Sequence, residues 1–296
     1  MREKILFIVN PISGHHDKTD FPNIVDSLID KEKFDYSISF TEYGGHAKEL
    51  TANAIADDVD IIVAVGGDGT INEVATSMIG SRQTFTIVPY GSGNGLAHHL
   101  HLPLKPQKII TNVINNGFKT KIDTATVNGV PYISIAGVGF DALIADYFAR
   151  DPKRGFMTYV KFITEEYPRF KPGHYKLILD DTKEIECDAM FISFANSNQF
   201  GYNAAISPHA SLNDGLLDVC IFKKPNLLEV GFVAERLITK RIDKTKFVEI
   251  HKAKKINIIR ENEDFANIDG EAMMMSKDVT VEINELSLNI LLPNTI

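Results

Sequence analysis

The sequence has no tryptophan and only two cysteines in 296 residues. Cys187 and Cys220 each fall inside an apolar, strand-like run, which predicts reduced, packed thiols and leaves no disulfide framework or redox pair on which to build a function. Long hydrophobic runs are missing too. No stretch approaches the roughly 20 apolar residues needed to span a bilayer. The opening Met1-Arg2-Glu3-Lys4, followed by Ile5 to Val9, is too short and lacks the cleavage site of a signal peptide. It reads as a first strand and predicts a cytoplasmic protein. No H-E-x-x-H spacing accompanies His98, His99 and His101, and no G-x-S-x-G elbow is present, so zinc and serine-esterase chemistries have no support. A formal net charge of -8 argues against a nucleic-acid binder, whose phosphate contacts need a basic surface.

Positive charge is nevertheless concentrated in one place. Arg236, Lys240, Arg241, Lys244, Lys246, Lys252, Lys254 and Lys255 stand against only Asp243 and Glu249. Such a run is either a solvated face or a docking surface for an anionic membrane leaflet.

The first 120 or so residues alternate short apolar runs (4–9, 36–40, 60–65, 84–89) with segments of helical spacing (23–30, 46–57, 71–79), the pattern of βαβ units around a parallel sheet. The strands are apolar almost throughout, which predicts burial on both faces and a doubly wound α/β domain. From Asp123 onward the texture changes to short strand-like runs (132–136, 175–179, 189–194, 217–222, 255–259, 279–283, 286–291), which suit an all-β, antiparallel sandwich. Helices are expected within it at 141–149, 156–166 and 226–238. Two domains follow: 1–122, joined by the C-terminal segment 286–296, and 123–285.

The chemistry concentrates at the end of the third strand, in Gly66-Gly67-Asp68-Gly69-Thr70-Ile71-Asn72-Glu73. Three glycines permit positive φ and let backbone N–H groups approach an anion. Thr70 and Glu73 have the spacing of a capping box, so a helix is expected to start at the loop with its positive dipole end facing the same space. Strand, glycine loop and helix start make a phosphate cradle. Asp68 would repel a phosphate, and makes sense if it binds Mg²⁺ or takes a proton from an attacking hydroxyl; the alternative is a turn aspartate bonded to its own backbone. A second loop, Gly91-Ser92-Gly93-Asn94-Gly95, follows the next strand and has neither a Walker A ending nor dinucleotide-binding spacing. A third, Asn10-Pro11-Ile12-Ser13-Gly14, ends the first strand.

These loops in this order resemble the diacylglycerol kinase catalytic family and its sphingosine and ceramide kinase relatives, and the resemblance covers essentially the whole chain. Asn10, Pro11, Ser13 and Gly14, Thr41 ahead of Gly45-His46-Ala47, Gly66 to Thr70 with Asn72 and Glu73, and Gly91, Ser92, Gly93 and Asn94 match its nucleotide-binding positions. The resemblance implies an NAD kinase-like α/β nucleotide-binding domain, a β-sandwich lipid domain, and an active site between them. It also implies ATP and Mg²⁺ as cofactors and a membrane lipid as substrate. Asp123 and Glu271 match acids that bacterial members place near Asp68, with Glu271 or Asp68 as the base. Ser211, Asp214 and Leu216 match the positions where bacterial members hold a structural Mg²⁺. Family members with diacylglycerol as acceptor usually carry Asp where this chain has Gly95, which is nearer the sphingosine kinase version. Asp141 and Asp146 lie where sphingosine kinases place a lipid-contacting aspartate.

The reading is therefore an ATP-dependent lipid kinase acting on diacylglycerol or a sphingoid-type lipid, cytoplasmic or peripheral at the inner membrane face, with no nucleic-acid partner and with oligomerisation left open. NAD kinases share the Gly66–Thr70 motif and form one alternative; a catalytically silent nucleotide or lipid sensor forms another.

Overall fold

The computed structural model describes residues 2–14, 18–151, 155–201 and 204–294, with Phe156 described by its backbone alone. The chain forms two compact units, Met1–Ile122 with Leu286–Ile296, and Asp123–Glu285.

In the first unit, strands β1 (Glu3–Val9), β2 (Phe34–Phe40), β3 (Ile61–Gly66) and β4 (Thr84–Pro89) form a parallel sheet in the order β2-β1-β3-β4. The end of the last strand in the chain lies parallel to β4, with Ile290 opposite Phe85 and the Thr86 hydroxyl donating to the Leu291 carbonyl at 3.0 Å. Every residue of β3 and β4 is buried, as helix-covered parallel strands require. The helices are α1 (Phe21–Leu28), α2 (His46–Ala56), α3 (Asp68–Ser77), α4 (Gly95–His99) and α5 (Pro106–Lys108), the last running on as a π-helix over Ile109–Ile114. Strand order reverses between β1 and β3. The loops leaving the carboxyl ends of those two strands therefore flank a topological switch point, where open α/β sheets bind their ligands.

The second unit is a sandwich of antiparallel sheets. Between them, β5 (Phe118–Val127), β6 (Val130–Tyr132) and β7 (Ile135–Gly139) lead into helices α6 (Phe140–Arg150) and α7 (Phe156–Glu166). Then come β8 (Gly173–Leu179), β9 (Lys183–Ala189), β10 (Phe191–Ala195), β11 (Leu217–Phe222) and helix α8 (Val230–Ile238). The chain closes with β12 (Val248–Ala253), β13 (Lys255–Arg260), β14 (Asp264–Ile268), β15 (Glu271–Met275) and β16 (Asp278–Leu292). One sheet runs β12-β11-β10-β7-β14-β15, and the start of β16 pairs with β13, which pairs with β8 and then β9. Alternation along β11 shows how the layers form. Leu217, Val219 and Ile221 point into the core between the sheets, whereas Cys220 and Phe222 point to the other face, where α6, α7 and α8 cover the sheet.

Two strands expected at 279–283 and 286–291 are one, β16, which passes Leu286 at φ 46°. Strands β5, β9, β12, β14 and β15 were not expected. In β9 exposed Glu184, Glu186 and Asp188 alternate with Ile185 and Cys187, which dilutes the apolar signal. Both thiols are free, and burial raises the pKa of each.

Candidate functional site

The first turn of α3 binds three loops with three side chains. The helix begins at Asp68, earlier than the spacing predicts, with Gly67 extended ahead of it and no side-chain cap. Thr70 and Glu73 do not form the expected capping box, because both are engaged elsewhere. Thr70 Oγ1 accepts from Asn10 Nδ2 at 2.9 Å, tying the loop after β1, and Glu73 Oε1 accepts the Gly45 N–H at 3.0 Å, tying the loop after β2. Asp68 takes the third loop: Oδ2 accepts the Asn94 N–H and Oδ1 the Gly95 N–H, both at 3.1 Å. A carboxylate in the first turn suits the helix dipole, so Asp68 satisfies α3 and the start of α4 together.

The loops touch closely enough to exclude side chains. A Cβ built on Gly14, at φ +68°, would lie 1.8 Å from the Tyr90 carbonyl oxygen, and one on Gly91 would lie 2.7 Å from Gly67 Cα and 2.9 Å from Asn94 Oδ1. Asn94, held at φ 48°, donates from Nδ2 to the Gly91 carbonyl at 2.8 Å. Gly91→Ala should push the Gly91–Gly95 loop away from the Gly66–Thr70 loop. Because a displacement of about 1 Å can cost about 10²-fold, any turnover that these loops support should fall by that order; steady-state kinetics with unchanged constants would show that the contact is immaterial.

Asp68 keeps a solvent-exposed edge, yet the loops crowd its carboxyl. Desolvation pushes its pKa above the ordinary carboxylate value, and the amides of Gly95 and Asn94 offset that only in part. Lys18 is a member of the site that carried no sequence motif. Only 2% exposed, it donates from Nζ to the Ser13 carbonyl and lies 5.0 Å from the centre of the Tyr90 ring, linking the first loop to the residue before Gly91. A cavity of about 370 Å³ lined by Asp60, Arg82, Lys119 and Lys121 lies instead by the amino ends of β3 and β4, away from the glycine loops. Among the described residues no cluster of three or more His, Cys, Asp or Glu could hold a metal. Asp68 is the acid at these loops that would hold a Mg²⁺ ion, whose charge would offset that of a phosphate.

Asp123 and Glu271 belong to the second unit. Asp123 is fully buried; Oδ2 accepts the Gly215 N–H at 2.8 Å, and its carbonyl accepts from Asn196 Nδ2 at 2.8 Å. Glu271 is exposed at the head of β15, just after the Asp269-Gly270 turn. That turn is rigid. The Asp269 carboxylate accepts the N–H groups of Ile133, Ser134 and Ile135 at 2.7 to 3.0 Å, and Asn267 Oδ1 accepts the Gly270 N–H at 2.8 Å. Asn267 Nδ2 in turn reaches Asp141 Oδ2 at 3.4 Å. Asp141 is buried with Oδ1 unpartnered, and burial pushes its pKa to about 7. Asp146 differs, because Arg150 holds its Oδ1 at 2.9 and 2.8 Å.

The turn at 211–216 already contains a cation. Asp214 Oδ2 accepts from Lys252 Nζ at 2.7 Å while Oδ1 accepts the Leu216 N–H at 3.2 Å, and Ser211 Oγ donates to Asn213 Oδ1 at 2.8 Å. Lys252 also lies 3.4 Å from the buried Asp218. Burial works against the Lys252 charge, but its hydrogen bond to Asp214 and the attraction of Asp218 outweigh that and raise its pKa. Lys252 thus already neutralises the Asp214 carboxylate in the turn of Ser211, Asp214 and Leu216, where the resemblance puts a Mg²⁺ ion. Chelation should therefore leave the melting temperature unchanged, whereas Lys252→Met should cost about 1 kcal/mol, a modest figure because Lys252 keeps solvent contact. A chelator-induced drop in melting temperature, restored by Mg²⁺, would show that the metal outcompetes the lysine.

Two family descriptions match this chain: "Diacylglycerol kinase catalytic domain" over residues 4–127, and "YegS C-terminal NAD kinase beta sandwich-like domain" over residues 134–292. The diacylglycerol kinase of Staphylococcus epidermidis is 30% identical over 281 residues, covering 92% of this chain and 86% of its own. That of Bacillus subtilis is 28% identical over 268 residues, covering 89% and 88%. A crystal structure of a diacylglycerol kinase from Bacillus anthracis has a TM-score of 0.75 at 20% identity, and a second structure from the same source has 0.80 at 21%; each covers 99% of this chain and 98% of its own. At that identity they establish the fold, an α/β unit with a β-sandwich.

Proposed function

Because this chain belongs to the diacylglycerol kinase family, a family of lipid kinases that transfer phosphoryl groups to an alcohol, we propose that it moves the γ-phosphoryl group of ATP to a hydroxyl of diacylglycerol or a sphingoid-type lipid. The observation that carries the proposal is the α3 turn, whose Asp68, Thr70 and Glu73 lock three glycine-bearing loops at the switch point of the sheet. Phosphoryl transfer needs little covalent help from the protein; positioning and charge neutralisation do most of the work. The loops of Asn10–Gly14, Gly66–Thr70 and Gly91–Asn94 would cradle the phosphates, with Thr41, Asn72 and Glu73 at their edge. When bound, Mg²⁺ would neutralise the phosphate oxygens.

Asp68 is the acid in this cradle and orients whatever cation the phosphates bring. Glu271, exposed and on a rigid turn, takes the proton of the acceptor hydroxyl in this reading. Asp123, with its carboxylate bonded to Gly215, is a positioning residue for the turn at 211–216. For the lipid headgroup the structure favours Asp141 over Asp146, since Asp146 is committed to Arg150 while Asp141 keeps an unpartnered oxygen.

A panel of diacylglycerol, sphingoid base, ceramide, phosphatidylglycerol and NAD, incubated with ATP and the purified protein, tests this reading by identification of the phosphorylated product. A phosphorylated lipid is expected. Phosphorylated NAD alone would replace the reading with an NAD kinase, and ATP binding without transfer to any acceptor would leave a sensor.

A further inference from the structure

The basic run between Arg236 and Lys255 is not one face. Lys246 is paired with Glu229, Lys252 with Asp214, Lys254 with Glu285, Lys255 with Asp181, and Arg236 with Glu235. Lys240, Arg241 and Lys244 are exposed and have no ion-pair partner among the described residues. All three follow the C-terminal end of α8 directly, where cations also suit the helix dipole.

The same helix turns apolar side chains to solvent. Leu228 is 96% exposed, Leu227 71%, Ile238 57% and Phe232 47%, while Val233 is buried and Val230 and Leu237 pack on the core from the opposite side. Glu235 interrupts the outer face, and Arg236, 4.9 Å from the centre of the Phe232 ring, sits beside it. The leucines are held out by a built turn. Asn226 Oδ1 accepts the N–H groups of Leu228 at 3.0 Å and Glu229 at 3.1 Å. Next to them opens a cavity of about 440 Å³ lined by Tyr167, Pro168, Pro225, Leu227 and Leu228, with Lys224 at its rim. Four large apolar side chains exposed on this helix and the turn before it mark a surface that something covers.

We propose that the outer face of α8, with its leucine turn and the Lys240-Arg241-Lys244 cluster, docks on the surface of an anionic phospholipid bilayer. An interfacial helix combines an apolar stripe with unpaired cations, and both are present. The charge decides the occupant. A chain of net charge -8 is repelled by an anionic leaflet unless it presents a local patch of the opposite sign, and a second copy docked by the same face would bring only the same cations to the contact. The choice of a bilayer also rests on the lipid-kinase reading, which places the acceptor there.

Co-sedimentation with vesicles, without nucleotide or acceptor, tests the surface separately from catalysis. Wild type should bind phosphatidylcholine vesicles containing phosphatidylglycerol, bind pure phosphatidylcholine weakly, and lose affinity as salt rises. Neutralising the cluster (K240Q/R241Q/K244Q) should weaken binding to the anionic vesicles by about 100-fold. L228E/F232E should weaken it by at least 10-fold, while both variants keep wild-type circular dichroism and ATP turnover on a water-soluble short-chain acceptor. Vesicle binding indifferent to both variants, or equal on neutral and anionic vesicles, would overturn the proposal. So would a wild-type dimer in sedimentation velocity that L228E/F232E dissociates with vesicle binding intact. Failure of the acceptor panel alone would leave this surface standing.

Discussion

Asp68→Asn is expected to lower kcat by about 10²–10⁴-fold while leaving the protein folded. The carboxylate has two separable jobs. Structurally, each oxygen accepts one backbone N–H, from Asn94 and from Gly95. An asparagine retains one of these acceptors and nearly the same shape, so the second loop should stay close to its place. Chemically, the loss is larger. The substituted amide carries no negative charge that could hold a Mg²⁺ ion beside the phosphates. A melting temperature within a few degrees of wild type together with lost turnover identifies a chemical role; unchanged turnover would reduce Asp68 to a cap for α4. Desolvation by the crowding loops raises the Asp68 pKa, so the acid limb of the wild-type rate profile should lie above the range of an ordinary carboxylate, and the variant should lack that limb.

The second large effect concerns Asp141. Its pKa is about 7 in the folded protein against an ordinary 3.8, chiefly because burial disfavours the charged form, with Asn267 pulling the other way. Between those values the folded state holds a proton that the unfolded chain has released. Stability should therefore fall as pH rises from about 4 to about 7 and level off above, by on the order of 4 kcal/mol in total. Tyr159 and Tyr175 pack near the same carboxyl, and burial raises both, the latter to about 12, so neither titrates in that window. Asp141→Asn should abolish this slope and be the more stable protein at pH above about 7, as read from urea denaturation across the range. A variant with the wild-type slope would place the titration elsewhere. A lipid headgroup bearing an amine would favour the charged form of Asp141, so the acceptor itself should shift this window downward.

The α/β half was the more legible because β1, β3 and β4 are buried almost throughout and its loops carry glycine; the edge strand β2, with only Phe34 buried, departs from the expected two-sided burial. Residues 84–89 appear in the structure as the spacing predicts, and the other parallel strands differ by one or two residues at their ends. Local pattern misled where tertiary partners competed. Thr70 and Glu73 have the spacing of a capping box, yet Asn10 and Gly45, distant in sequence, take their oxygens. Lys18 could not be found by motif, since what defines it is burial against Tyr90 and Ser13. The cation beside the turn at 211–216 was equally hidden: Lys252 lies 38 residues from Asp214, and only the pairing of β11 with β12 brings it there. In the same way, five of the eight basic residues between Arg236 and Lys255 enter separate ion pairs once the strands are in place, and Lys240, Arg241 and Lys244 are left as the cluster.

Transfer of radiolabel from the γ-position of ATP into a solvent-extractable lipid, for wild type and Asp68→Asn side by side, tests the central claim most directly. The α3 turn as a phosphoryl-transfer site predicts label in the lipid phase with wild type and essentially none with the variant. Equal labelling by both proteins, or label that stays in the aqueous phase with NAD, would contradict it.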